Sequence, residues 1–422
     1  MKKLSMLIVL LFVTCSVFAG EVSTKLANTN TTIPLSAFGD IRTIELTPQI
    51  QGSFEYTVDN TDLNINTIIG SSTVTQSQGM AVLTTGTTTS SLALLQCTSH
   101  AKYRPGLGGL ARFTALFTDC VAGTSQYAGL LDEAGSSAEF ENGYALGCDG
   151  GVFSVVRFQG DVKVDSISVF DDPLDGSGKS GINIDVTKLN VFGIRYQYLG
   201  AGFIQFLIED PATGRLTVFH TIDYAGRNIV PSVFNPSFHF SICVDNKATT
   251  ENIIAKTASY AYFIEGMTNI TELQQPQNST DIQTKTSVTT EVAILTIRNK
   301  TTYAGKNNFI NILLEHFSAS IEASAANNLG SIRLVRNATL GGAPSWSDIN
   351  ATNSVVEIDT SGTTVTGGST LMTIPLAGKN DKAIINIISL QSIVHEGDTV
   401  TIAGTSANSA TIKAEILWKE LF

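Results

Sequence analysis

Phe170 to Asp185 reads FDDPLDGSGKSGINID, a stretch where chemically capable side chains crowd together. Asp171, Asp172 and Asp175 stand at its start, and Gly178-Lys179-Ser180 follows. A phosphate-holding loop needs Gly, four residues, then Gly-Lys-Ser/Thr, because backbone N–H groups wrap the phosphate where a helix begins. The first glycine position is held here by Pro173, which has no N–H to donate, and the residues that follow, INIDVTKLNVFGIRY, are strand-like. That excludes a nucleotide loop. A calcium hand places ligands at alternate positions and closes with Glu at the twelfth; counted from Asp171, the third is Pro173 and the twelfth is Ile182. Two readings are left: a solvated turn, or an irregular structural-calcium loop made by Asp171, Asp172 and Asp175. No cofactor is expected; structural calcium is the one ion such a loop could take, and the solvated turn is the favoured reading.

Other catalytic signals are missing. The five histidines, His100, His220, His239, His316 and His395, form no HxH or HExxH pattern, and no GxSxG elbow occurs. Glu209-Asp210 and Asp132-Glu133 read as turn acids rather than a glycosidase pair. No catalytic residue is expected, and the chain reads as a non-enzyme. Aromatics crowd the middle of the sequence. Tyr196 and Tyr198 share one face at period two, as do Phe238 and Phe240. They either fill a core or, if exposed beside Asp and Asn, stack sugar rings.

The elements that must position these groups are strands. Thr, Val and Ile are abundant, and branched side chains suit a pleated, half-buried surface. SSLALLQCT, ARFTALFTD, GGVFSVVRF, VFGIRYQYL, GFIQFLIED, LTVFHTIDY, FHFSICVDN and ASYAYFIEG form one strand series. EVAILTIRN, NFINILLEHFSASIEAS, GSIRLVRNA, TLMTIPLAG, DTVTIAGTS and ATIKAEILWKE belong to a second. Between them Thr268 to Thr289 is polar and Gln/Asn/Thr-rich and reads as a linker. The expected fold is all-β, with two β-sandwich or jelly-roll-like domains joined by a polar linker. The expected boundaries are an extended segment with short strands over 20–70, a lectin-like sandwich over 71–267, the linker over 268–289, and a second sandwich over 290–422. The ending ILWKELF looks like the last strand of an outer-membrane barrel, but Glu420 breaks the lipid face, so Ile412, Ala414, Ile416 and Trp418 are expected inward in a soluble sheet.

The first residues, MKKLSMLIVLLFVTCSVFAGE, read as a signal peptide over 1–19: Lys2 and Lys3, an apolar run too short to span a bilayer, then Val17 and Ala19 before the cut. Thr14 disfavours acylation of Cys15. No later apolar run is long enough for a helical membrane span. The chain carries a formal charge of −11, and loss of Lys2 and Lys3 makes it −11 − 2 = −13. An acidic chain with no basic block argues against nucleic acid as a partner. In an oxidising compartment Cys97, Cys120, Cys148 and Cys243 either pair in one of three connectivities or stay as buried thiols.

Segments along most of residues 37–422 resemble a widespread group of viral and phage-associated structural proteins. AFGDIRTIELTPQIQGSFEYTV, KYRPGLGGLARFTALFTD, FDDPLDGSGKSG and IEDPATGRL carry the likeness, with LVRNATLGGAPSWSDIN, EGDTVTIAGTS and ILWKELF in the C-terminal part. The resemblance implies β-rich modules displayed on a virion or secreted, a role in attachment or surface assembly, and no catalytic residues. Tyr103-Arg104-Pro105-Gly106 reads as a fold signature with no chemistry assigned. Display further implies a homo-oligomer, such as a trimer, and a host-surface glycan or protein as partner. The signal peptide departs from the tailed-phage pattern, whose particles assemble without export. The rival is a secreted polysaccharide-active enzyme or glycan-binding adhesin on a lectin-like sandwich.

Overall fold

The computed structural model describes residues 45–58, 63–132, 139–267, 275–323, 328–390 and 392–422. The expected signal peptide lies outside them. The chain is all-β: among the described residues the strands are accompanied only by a single 3-10 turn, Ile388–Leu390. Among the described residues no helix is long and apolar enough to cross a membrane. It divides into two compact units, an N-terminal one ending at Thr268 and a C-terminal one from Asn269, which also takes in Cys97–His100.

The N-terminal unit is a sandwich of a seven-stranded and a nine-stranded antiparallel sheet. The seven-stranded sheet runs Val162–Ile167, Val152–Gln159, Asn142–Asp149, Ser125–Leu131, His239–Asp245, Leu92–Cys97, Asn64–Ile69. In the nine-stranded sheet Gly108–Phe117 lies between Asn190–Tyr196 on one side and Ile254–Thr257 and Ser259–Glu265 on the other. Of the segment expected to be extended with short strands over 20–70, residues 20–44 and 59–62 lie outside the described ones; within the rest, Leu46–Ser53 pairs with Ser259–Glu265, and Asn64–Ile69 lies at the edge of the seven-stranded sheet.

Between the sheets lie aromatic rings. Phe240 stacks on Tyr260 at 4.3 Å with 12° between the planes, and Phe113, Phe192, Tyr144, Tyr196 and Phe238 continue the layer. Such a stacked pair contributes about 0.5–1.5 kcal/mol beyond its area. The opposite face of the seven-stranded sheet is also apolar. Leu94, Tyr127, Ala145, Val156, Phe158 and Cys243 form a second buried cluster there, with Phe140 and Ile69 packed on it. Covered on both faces, Ser125–Leu131 and His239–Asp245 are buried at every position, so they lack the apolar–polar alternation of a half-exposed strand.

The C-terminal unit is a second sandwich, of two six-stranded sheets. The long strand Asn311–Ala323, with Ala410–Leu421 beside it, centres one; Val292–Asn299, Thr399–Ser406 and Leu329–Arg336 centre the other. Ile312, Leu314, Phe317 and Ile416 from the first meet Ile297, Leu334 and Ile402 from the second in one core. Ile412, Ala414, Ile416 and Trp418 point inward as expected. Glu420 continues that row and is fully buried, accepting from Ser354 Oγ at 2.6 Å, Asn278 Nδ2 at 2.9 Å, Trp418 Nε1 at 3.0 Å and Val355 N at 2.9 Å. The linker expected over 268–289 needs correction. Residues 268–274 lie outside the described ones, but Gln277–Ser279 and Gln283–Val288 are strands on the flank of Ala410–Leu421, held by backbone pairing with only Val288 fully buried.

Candidate functional site

The loop over 170–185 folds on its own carboxylates. Asp172 is buried; its Oδ2 accepts from Ser180 N at 2.8 Å, and it sits so close to Gly178 that a Cβ there would lie 1.9 Å from Oδ1. The Gly-Ser-Gly-Lys-Ser run is therefore a cradle for Asp172. Asp175 accepts from Ser177 N at 2.8 Å and Ser177 Oγ at 2.5 Å, and these two bonds hold its carboxyl below the usual carboxylate range. Asp171 is exposed and accepts from Thr221 N at 2.9 Å, while Asp172 N donates to Phe219 O at 2.9 Å. Together they strap the loop along Arg215–Ile222, the edge strand of its sheet, where unpaired backbone groups would otherwise face solvent. The three aspartates read as a calcium loop do not converge: among the described residues they form no three-ligand group. Each carboxylate is turned to a different part of the local backbone.

The candidate sugar-stacking aromatics of the N-terminal unit are mostly core; Tyr198 is half-buried, its ring edge-on to Tyr103 at 5.0 Å and its Oη donating to Val233 O at 2.8 Å. Tyr196, Phe206, Phe219, Phe238, Phe240, Tyr260 and Tyr262 are all buried. Asp210 caps its own turn, accepting from Ala212 N and Thr213 Oγ1, both at 2.8 Å. His220 is buried beside Asp171, with Nδ1 3.4 Å from Oδ2. Of the four cysteines that follow the expected signal peptide, Cys120 and Cys148, 28 positions apart, are bridged. Cys97 and Cys243 are buried thiols, and burial pushes Cys243 up to about 12.

A polar groove of about 250 Å³ opens on the outer face of the C-terminal unit, lined by Arg298, Lys300, Thr301, Thr302, Glu357 and Gly397. Sheet register builds it. Arg298 lies directly opposite Glu357, and Glu357 opposite Asp348, so residues far apart in sequence stand in one row across three strands. Lys300, two residues on from Arg298, shares its face and reaches Asp348 Oδ1 at 2.7 Å. The Arg298 guanidinium is fixed twice. It lies 4.2 Å over the Trp346 ring, and its Nε and Nη2 donate to Glu357 Oε2 at 3.1 and 2.5 Å. Arg298 Nη1 and Glu357 Oε1 make no hydrogen bond with any described residue, so the pair keeps spare donors on one residue and a spare acceptor on the other. A hydroxyl, which both donates and accepts, can use either. A second groove of about 220 Å³ crosses the other sheet of this unit, floored by Ser318 and Ser320 between Lys382 and Ile384 on one wall and Lys413 and Glu415 on the other.

Sequence reasoning missed the Arg298 groove. Its one available signal was SWSDIN, where Trp346 and Asp348 fall on one face at period two in a polar stretch.

No protein-family model and no curated protein matches the chain. Among solved structures it is similar to arcelin-5, a lectin-like defence protein from Phaseolus vulgaris, at 10% identity over 52% of this chain and 99% of that one, TM-score 0.34. It is similar to the metal-free form of lectin I-B4 from Griffonia simplicifolia at 12% identity, covering 51% and 99%, TM-score 0.33. A glycosidic hydrolase matches at 11% identity, covering 54% and 100%, TM-score 0.36. Each likeness spans about half of this chain, and no ligand is carried over from any of them.

Proposed function

We propose that this is an exported, non-enzymatic β-sandwich protein that binds glycan through the Arg298 groove, serving attachment or surface assembly. One observation carries the reading: Arg298 is held between Trp346 and Glu357, with donors on its Nη1 and an acceptor on Glu357 Oε1 left over. A site whose side chains are locked before the ligand arrives loses little entropy on binding. The volume lies below the roughly 300–1,000 Å³ of drug-sized pockets and suits a single small polar group such as one sugar ring. Glu357 and Asp348 are each engaged by a cation, an arrangement that favours holding hydroxyls over passing protons. The signal-like start and the resemblance to virion surface proteins support display outside the producing cell.

The test is a glycan array on the protein without residues 1–19, followed by calorimetric titration of the best ligand. Glu357→Gln and Arg298→Ala are expected to weaken binding by about 10- to 100-fold, the worth of one or two hydrogen bonds to a charged group, with melting temperature little changed. Ser320→Trp, which fills the second groove, should leave binding intact. If no glycan binds, or if Ser320→Trp abolishes binding while Glu357→Gln does not, the assignment to this groove fails.

A further inference from the structure

Arg104 is only 8% exposed, in the turn that leads into Gly108–Phe117, closed by Leu107 N donating to Arg104 O at 3.0 Å. Its guanidinium makes no hydrogen bond or ion pair with any described residue, and Nε is fully buried without a partner. A largely buried cation whose Nε has no partner carries a desolvation cost that native structures usually offset by pairing. Arg104 lies close enough to Tyr262 for the two to interact electrostatically. Glu265, which also acts on Tyr262, makes no ion pair with Arg104.

The neighbouring phenols add a second unmatched donor. Tyr196 Oη and Tyr262 Oη are 3.0 Å apart and both side chains are buried. Two hydroxyls carry two hydrogens, and the bond between them uses one; the other finds no acceptor among the described residues. Burial pushes both phenols well above their usual range, so they stay protonated as donors at any physiological pH. Gly109 leaves room for this pair: a Cβ there would lie 2.5 Å from Tyr262 Oη and 2.9 Å from Tyr196 Cε1.

We propose that Arg104, together with the Tyr196–Tyr262 hydroxyl pair, binds one small oxyanion, a carboxylate or sulfate group arriving either free or as the acidic end of a larger molecule. The guanidinium fork matches the planar spacing of two such oxygens, and the spare phenolic hydrogen supplies a further donor. The site lies in the N-terminal unit and does not depend on the Arg298 groove, so either can fail without the other.

Thermal melts of the full chain test it, with sodium sulfate, acetate and glucuronate titrated in the millimolar range against chloride at matched ionic strength. At saturating oxyanion the melting temperature of the wild type is expected to rise above the chloride control by about 2–4 °C. Arg104→Met is expected to melt higher than wild type in chloride, since the uncompensated charge is gone, and to lose the oxyanion response. Arg104→Lys, which keeps the charge without the fork, should respond weakly, and it stands in if the methionine variant does not fold. Tyr262→Phe should weaken the apparent affinity several-fold. A larger shift with glucuronate than with acetate points to the acidic end of a larger molecule, and equal shifts to a free anion; both support the site. Oxyanions acting on wild type no differently from chloride would overturn it. So would an equal response in wild type and in Arg104→Met.

Discussion

Asp149 on the seven-stranded sheet sits in a knot of donors. Lys163 Nζ lies 2.7 and 2.8 Å from its two oxygens, Tyr127 Oη 2.6 Å from Oδ1, and Ser166 Oγ 2.5 Å from Oδ2. Partial burial alone would raise the carboxyl pKa, but these partners outweigh it and hold Asp149 below its usual range. A carboxyl depressed in the folded state contributes stability that is complete above the unfolded value of about 3.9 and is lost as pH falls through the folded value. Melting temperature should therefore drop more steeply between about pH 5 and pH 2 in wild type than in Asp149→Asn. Parallel curves for the two proteins would show that the knot contributes nothing to acid stability. Asp172 makes a related point about carboxylates: the same acid that marks a ligand loop in sequence serves in the structure as the peg on which the loop hangs.

At the scale of the strand, glycine is what misleads a reader of the sequence. Ser125–Leu131 and Asn142–Asp149 carry Gly129, Gly143 and Gly147, and Gly in a one-dimensional pattern signals a turn. In the sheet Gly147 has φ +148°, and a Cβ on it would lie 1.9 Å from Gln126 O. The residue is there because the neighbouring strand approaches too closely for a side chain. Gly147→Ala is expected to destabilise by about 2–4 kcal/mol, read as a lower midpoint in urea unfolding with an unchanged slope. A midpoint unmoved from wild type would mean that the strand shifts freely to make room. The strands that were legible, such as Asn311–Ala323 and Ala410–Leu421, alternate in the ordinary way or run apolar between clear turns. The Arg298 groove was not legible because register joins its members: Arg298, Asp348 and Glu357 become neighbours only once three strands are aligned. The linker was misread for a similar reason. Lys285 and Val288 pair with residues more than a hundred positions away, and no local pattern records that.

At the scale of the whole molecule, two sandwiches leave four sheets with edges. In the C-terminal unit Ser369–Ala377 and Asn380–Asn386 are edge strands joined in sequence, and Ile384 on the second is 73% exposed. Pro375 and Lys382 interrupt them as natural edge strands are interrupted. Display on a surface favours a symmetric assembly, and we expect a homo-oligomer; light scattering on a sizing column would return the mass of more than one chain, and a single-chain mass at micromolar concentration would remove the expectation. The C-terminal unit also carries a topological consequence. Its first described residues and its last are hydrogen-bonded together, Phe422 N to Gln275 Oε1 at 3.1 Å and Glu420 N to Pro276 O at 2.9 Å. Closing that ring costs loop entropy before its contacts reward it, the kind of long-range pairing that slows folding. The same closure means that the two ends of the unit could be spliced to each other and the backbone cut open at an exposed turn, and the sheet order would be unchanged.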